Sequence, residues 1–492
     1  MTVSIQTSTL LANLPPPLPP PEIEPSHLSV DSLKVVARLR RHGHTAYLVG
    51  GCVRDLLVGA HPKDYDVATS AHPEQIREIF RNSRLIGRRF RLAHVFFPDG
   101  NIIEVATFRS NPIPDAEAGS EEQPIDLLLK DDNQFGTAEE DAVRRDFTVN
   151  GLFYDVVEGR VIDFVGGRED LRKRSIRTIG DPEIRLREDP VRGLRAARIA
   201  AKLGFSIEAD TFAAMQRHAG ELPRCAPARI LEETLKILRS GTASPAFAIL
   251  RKAEILHYLL PAIEDVLVQG GPEAETSLLK RLSALDALVS SGESVTDAVM
   301  LASLLSFLPM HELVKKPGAE AEAEDEEEAV DDLSAVLPSA DHVLSEMSAH
   351  ARLPRRVADR VRAIIGSQRV FHMPVKKKRR RSGGFVRTPH FGEALQLFEI
   401  GVRATGQHMD VFLRWQQRAA ASHSPELGTE PVVTREAPVP APAVASAPAA
   451  AEEPPTEGEA AAKKKKRRRR GGRGRSKGPK PEGSPEGDGQ PT

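Results

Sequence analysis

Hydrophobic positions along this chain change period partway through. The early part mixes short apolar runs with helical spacings. "SLKVVARLRRHG" places apolar residues three and four apart, which predicts an amphipathic helix from Ser32 stopped by Gly43. "TAYLVGG" is an apolar run closed by two glycines, read as a buried strand and a turn, and "VRDLLVG" as a short helix. "PEQIREIFRN" predicts another helix with Pro73 at its start. "RLAHVFF" and "NIIEVATF" are β-rich runs joined by "PDG", a hairpin signal. A long polar loop, "SNPIPDAEAGSEEQPIDLLLKDDNQFG", follows. "TAEEDAVRRDFTVNGLFYD" has Thr137 as an N-cap and an acidic first turn, so a helix runs into a β segment. "VVEGRVIDFV" reads as a hairpin around Glu158-Gly159. From Asp189 to about Gln416 the pattern is helical throughout. The expected class is α+β, a small head followed by an all-helical body.

Composition sets the ends apart from this middle. The chain has 492 residues, with 68 Lys+Arg against 69 Asp+Glu, and the near-neutral total hides segregation. "AEAEDEEEAVDD" (321–332) is acidic, while "KKKRRR" (376–381) and "KKKKRRRRGGRGRSKGPK" (463–480) are basic. Such blocks are usually solvated, and basic ones often hold nucleic acid. The predicted layout is a disordered Pro-rich leader (1–30), a head (31–178), a helical neck (179–250), a helical body (251–420) with an acidic insert (319–332), and a disordered basic tail (421–492). Only Cys52 and Cys225 are present, which suits a reducing cytoplasm better than a disulfide framework. No apolar run approaches the roughly 20 residues of a membrane span.

Candidate chemistry centres on "YLVGGCVRDLLVGAHPKDYDVAT". If Asp64–Thr69 is a strand, Asp64 and Asp66 share one face, and like charges that close call for a cation between them. Mg²⁺ is the natural choice, since it takes one or two carboxylates plus substrate phosphates. Glu104 on a neighbouring strand is a candidate third ligand, and Gly50 and Gly51 leave room for backbone N–H groups to meet a phosphate. Read by themselves, the Asp pair also fits an Asp-rich turn after Pro62, and Glu104 an exposed strand residue.

Three ordered motifs favour the sharper reading. "LVGGCVRDLLVGAHPKDYDVAT", "RRDFTVNGLFYD" and "REDPVRGLRAARIAAKLGF" resemble the class II nucleotidyltransferases, the family of tRNA CCA-adding enzymes and bacterial poly(A) polymerases. The resemblance is close from Tyr47 to Phe205 and looser in the helical body. It implies a mixed-sheet nucleotidyltransferase head, a neck that binds nucleotide and RNA, and a body that binds RNA. It also implies two catalytic Mg²⁺ ions on Asp64, Asp66 and Glu104, and a nucleotide site that includes Gly50, Gly51 and Arg54. Arg144, Arg145, Asp146 and Asn150 are implied to handle ribose and phosphates. Asp189 and Arg192 are implied to read the base with Glu188 in support, as a carboxylate accepts from an exocyclic amine and an Arg donates to ring or carbonyl acceptors. Arg195 and Arg198 complete the implied nucleotide set.

Within the family, "LIGRRFRLAHVFF", "RTPHFGEALQLFEI" and the basic tail resemble the poly(A) polymerases, with Arg88, Arg89 and Arg91 along an RNA or triphosphate path. The expected activity is template-independent addition of AMP from ATP to RNA 3′ ends in the cytoplasm. RNA-decay proteins are expected as partners through the tail. A CCA-adding enzyme is the nearest alternative and a non-catalytic RNA-binding scaffold the more distant one. Intact Gly-Gly, Asp-x-Asp and Asp-x-x-Arg sets argue against the scaffold.

Overall fold

The first helix, α1 (Val30–Arg41), starts where Ser29 caps it: the Ser29 Oγ accepts from the Ser32 N–H at 3.4 Å. Val35, Val36 and Leu39 form its buried stripe, and Gly43 ends it at φ +84°. This computed structural model describes residues 22–87, 91–110, 134–308, 340–349, 351–372 and 384–423. All lie in the unit Met1–Glu426. The long loop after Ser110, the acidic insert, the basic run at 376–381 and the tail fall outside the described residues.

Seven strands form the head sheet: β1 (Ala46–Val49), β2 (Asp66–Thr69), β3 (Ser83–Ile86), β4 (Leu92–Phe96), β5 (Ile102–Thr107), β6 (Leu152–Asp155) and β7 (Arg160–Asp163), in the order β3-β4-β5-β2-β1-β6-β7. Only β2 and β5 run parallel, so the sheet is mixed. Helices α2 (Gly51–Leu57), α3 (Pro73–Ile79) and α4 (Ala138–Arg144) connect the strands. Thr137 caps α4 in a reciprocal pair with Glu140, as its sequence predicts.

After α5 (Gly167–Lys173) a small parallel pair joins β8 (Ser175–Ile176) to β9 (Ser206–Ile207). Between these strands lie α6 (Pro182–Glu188) and α7 (Val191–Leu203). Asp189 breaks them apart at φ −149°, because the proline after it disfavours the helical backbone there. The helical body continues through α8 (Ala209–Arg217), α9 (Pro227–Leu238), α10 (Ala243–Lys252), α11 (Ile255–Leu259), α12 (Pro261–Ser290, kinked at Gly271) and α13 (Asp297–Leu305). A helical segment at 340–349 follows, then α14 (Arg355–Gly366), α15 (Gln368–His372), α16 (Phe391–Thr405) and α17 (Met409–His423).

Several expectations need correction. Order begins before residue 31: Ile23 and Leu28 are buried in the head core, Tyr154 Oη donates to the Ile23 carbonyl, and Arg168 pairs with Glu22. These two apolar side chains follow the prolines and find the sheet's open edge, which composition alone hides. The helices open at Pro182 rather than Asp189, and β9 interrupts the stretch read as wholly helical. β3 was absent from the sequence reading. Residue 250 falls within α10 and residue 420 within α17, and one hydrophobic core runs from Phe147 and Val149 through to Ile400. Neck and body therefore share packing.

Candidate active site

Asp66 opens β2, and in the parallel β2–β5 ladder its register partner is Glu104. Partners in a ladder present their side chains on one face. Asp64 stands two residues ahead of the strand, in the loop, so the shared-face argument holds for Asp66 and Glu104 but not for the Asp pair itself. The three are nevertheless electrostatic neighbours. Burial, then Glu104, push the Asp66 carboxyl up to about 6; Arg145 opposes the rise and Asp64 adds to it. His94 reaches Glu104 from β4, Nε2 to Oε1 3.3 Å.

The glycine turn sits against this cluster. Gly50 adopts φ +75°, which strains any residue with a β-carbon, and a β-carbon there would stand 3.1 Å from Arg145 Nη1, close enough that the guanidinium would have to shift. The Gly50 N–H is not available to a phosphate, because it donates to the Leu152 carbonyl at 3.0 Å. Arg54 is buried: its Nε and Nη2 donate to Asp55 Oδ1 at 2.8 and 2.6 Å, and its Nη1 to Asn150 Oδ1 at 2.5 Å. It therefore acts on the site through Asn150.

Those bonds belong to a longer chain of polar contacts. Lys202 on α7 meets Asp55 Oδ2 at 2.8 Å; Asp55 holds Arg54, Arg54 holds Asn150, and Asn150 Nδ2 donates to Asp146 Oδ1 at 3.0 Å. Asp146 Oδ2 then meets Arg195, again on α7, at 2.8 Å. Burial raises the Asp146 carboxyl, but Arg195, Asn150 and the Phe147 N–H outweigh it and hold the group below the ordinary carboxylate range. The circuit starts and ends on one helix. Arg195 and Arg198, implied to bind nucleotide, are here ion-paired with Asp146 and with Glu233 (3.3 Å), because α7 turns this face toward the head and α9.

Opposite lies a wall of arginines. Burial, then Arg109, Arg145, Arg185 and Arg192 in turn, draw the Arg144 guanidinium down to about 10. Arg145 is tethered to Asp141 (2.9 Å) and lies over the Phe153 ring at 5.1 Å. Such density of positive charge suits a polyanion.

The Asp-x-x-Arg motif spans the α6–α7 break, so Asp189, where the helical pattern was read to begin, lies between helices and only Arg192 is on the opening turn of one. Arg192 Nη1 donates to the Arg185 carbonyl at 2.6 Å and meets Glu188 Oε2 at 3.2 Å. Arg185 also bonds Glu188 (2.8 Å) and donates from Nη2 to the carbonyls of Arg144 and Arg145 at 2.6 and 2.8 Å. Asp189 Oδ2 is held by Arg229 at 2.7 Å, whereas its buried Oδ1 has no hydrogen-bond partner. A buried carboxylate oxygen left unsatisfied is rare and calls for a donor. Arg185 and Arg229 escaped the sequence reading. The first was visible as the start of an Arg-Glu-Arg ladder at 185, 188 and 192; the second, 40 residues away in sequence, was not. Arg88 and Arg89 lie outside the described residues, and Arg91 pairs with Glu74 on the surface at 2.7 Å.

A mixed sheet with neighbouring carboxylates, an arginine wall and a helix junction bearing Asp-x-x-Arg defines a nucleotidyltransferase. Residues 46–177 match the family described as "Poly A polymerase head domain", and residues 204–267 match "Probable RNA and SrmB- binding site of polymerase A". Poly(A) polymerase I of Salmonella typhi is 37% identical over 405 residues, 81% of this chain and 84% of that one. Poly(A) polymerase I of Escherichia coli is 43% identical over 296 residues, 60% of this chain and 63% of that one. Among solved structures, the Bacillus stearothermophilus CCA-adding enzyme in complex with CTP aligns with a TM-score of 0.55 at 27% identity, covering 80% of this chain and 82% of that one. The chain belongs to the poly(A) polymerases of the class II nucleotidyltransferase family. Its activity is that of a polynucleotide adenylyltransferase.

Proposed function

We propose that this protein transfers AMP from ATP to RNA 3′ ends without a template, releasing pyrophosphate, at a site built on Asp64, Asp66 and Glu104. The observation that carries the reading is the register pairing of Asp66 with Glu104, with Asp64 close enough to raise the Asp66 carboxyl further. Hard oxygen donors that repel one another suit a divalent cation. Mg²⁺ takes one or two carboxylates and shares the rest of its coordination with substrate phosphates and water. Two Mg²⁺ ions on these carboxylates would lower the pKa of the RNA 3′-hydroxyl and neutralise charge on the departing pyrophosphate.

The protein's own groups do the positioning. Arg144 and Arg145, held by Arg185 and Asp141, offer the triphosphate a fixed field. Asp189 Oδ1 accepts the exocyclic amine of the base, and Arg192, braced by Glu188, faces its acceptor edge. Asn150 and Asp146 keep the ribose-side segment in register with α7. The helical body holds the RNA strand, and the tail adds phosphate contacts and the docking point for RNA-decay proteins. We place the protein in the cytoplasm. Both cysteines are buried and unpaired in a disulfide, and no helix among the described residues is long and apolar enough to cross a membrane.

Incubating the purified protein with each single nucleoside triphosphate, on a generic RNA and on a tRNA lacking its CCA end, tests the proposal. Long A tracts on both substrates, from ATP alone and dependent on Mg²⁺, are expected. Addition of C residues from CTP alone, limited to two and confined to the tRNA, would replace it with the CCA-adding reading.

A further inference from the structure

Far along the chain from the catalytic carboxylates, α12, α15 and α16 surround a cavity of about 220 Å³. Leu397, Phe398 and Val402 give it an apolar floor, and Arg281, His372 and His408 bring polar groups to the same space. Arg281 is 7% exposed and donates from Nη1 to Ser306 Oγ at 3.0 Å; burial draws its guanidinium down to about 10. The His372 and His408 rings meet edge to face with centroids 4.8 Å apart, and His372 stands edge-on to Phe398 at 5.2 Å. Arg281 and Thr405 also line a wider adjoining groove of about 500 Å³, together with Lys280 and Ser277.

Two backbone features keep this space as it is. Gly401 lies in the interior of α16, where glycine is a poor helix former, yet a β-carbon there would meet nothing within 4 Å. Any larger residue would enter the cavity. His408 is held at φ +62°, in the left-handed region that non-glycine residues rarely occupy, which sets its ring at the cavity mouth.

The exposed His372 and His408 rings beside an apolar floor offer the kind of ring face on which an unstacked base lies. A guanidinium and an ammonium opening onto the next groove are what its phosphate seeks. We propose that the cavity and groove form a second nucleotide-binding site, separate from the catalytic one. One base lies among Phe398, His372 and His408, and its phosphate lies against Arg281 and Lys280. The nucleotide comes either from the RNA strand or from a free mononucleotide. None of the lining residues belongs to the head sheet or to α6 and α7, so the site is independent of the catalytic assignment.

Photolabelling of the full-length protein tests this, with an oligoadenylate carrying azidoadenosine and, separately, with azido-AMP, the adducts being mapped by peptide mass spectrometry. An adduct within 368–372 or 397–408 is expected; its appearance with the oligonucleotide assigns the site to RNA, and with azido-AMP alone to the free nucleotide. Adducts confined to the head, α6 and α7 with both probes would overturn the proposal. Gly401→Leu supplies a second arm. It should hold or raise the melting temperature, because it restores a helix former and fills apolar space. It should abolish the adduct while kcat and the KM for ATP stay unchanged. Where RNA is the ligand, it should raise the KM for oligoadenylate about tenfold. Arg281→Gln should weaken the same labelling through the phosphate contact. A folded Gly401→Leu protein that labels as well as the wild type would also refute the site.

Discussion

Asp66 and Glu104 are side by side on parallel strands, and burial makes each added negative charge there costly. Truncating one carboxylate relieves repulsion, so Asp66→Ala should melt within a few degrees of the wild type while AMP incorporation falls by orders of magnitude. Retention of more than about a tenth of wild-type turnover would show that this residue holds no essential ion. The base contact is separable. Asp189→Asn turns the unsatisfied acceptor Oδ1 into either an amide oxygen or a donor, and Arg192→Ala removes the partner edge. Either change should erode the preference for ATP by about 1–3 kcal/mol in single-nucleotide competition. Unaltered selectivity in both would place base recognition elsewhere. Identity and spacing made Asp64, Asp66, Asp189 and Arg192 legible in the sequence as candidates. The residues that aim them were less so. Arg229 reaches Asp189 from α9, and Arg185 acts partly through backbone carbonyls of Arg144 and Arg145, contacts that no local pattern encodes.

At the scale of elements, α7 is the member that ties the head to the α6–α7 junction. Its contact through Asp146 has a pH signature. The folded pKa of Asp146 lies below its unfolded value. The stabilisation is therefore fully present above the ordinary aspartate value of about 4 and is lost as pH falls through the lower folded value. The stability gap between wild type and Asp146→Asn should accordingly be widest near neutrality and shrink on acidification, as thermal melts across a pH series would show. A gap that widened in acid would contradict the pairing with Arg195. Thr137 was readable as a cap, whereas the Ser29 cap and the Asp189-Pro190 break, equally local signals, were passed over when the helices were opened at Ser32 and Asp189. The other failures have a common cause. β3, β8 and β9 are short and draw their stability from neighbours, and the Ile23–Leu28 segment is ordered by a core it does not help to announce. Long-range pairing decides such segments, and local propensity does not.

For the whole molecule, one apolar core carries the chain from the end of the head to α16, so most substitutions there should act on folding before they act on chemistry. The tail is different. Residues 463–480 offer Lys and Arg among Gly, Ser and Pro, with no aromatic residue to stack on a base. Deleting the chain after residue 423 should leave kcat and the KM for ATP intact and raise the KM for RNA, most strongly at low salt. RNA-binding titrations over a salt series measure this; equal affinities and equal salt slopes for both forms would deny the tail an RNA role.

The circuit from Lys202 through Asp55, Arg54, Asn150 and Asp146 to Arg195 limits how this enzyme can be recombined with its relatives. Arg192 and Lys202 are on one helix, about 15 Å apart along its axis at 1.5 Å per residue. A graft that exchanges this helix alone would import new partners around Arg192 and take one cationic partner from each of two buried carboxylates, Arg195 from Asp146 and Lys202 from Asp55. Removing a cationic partner leaves a buried carboxylate less compensated and so destabilises the fold. Swapped specificity should survive only in chimaeras that carry Asp55, Asp146 and Asn150 along with the helix, so the inheritable module is a set of contacts that crosses the head boundary expected at residue 178.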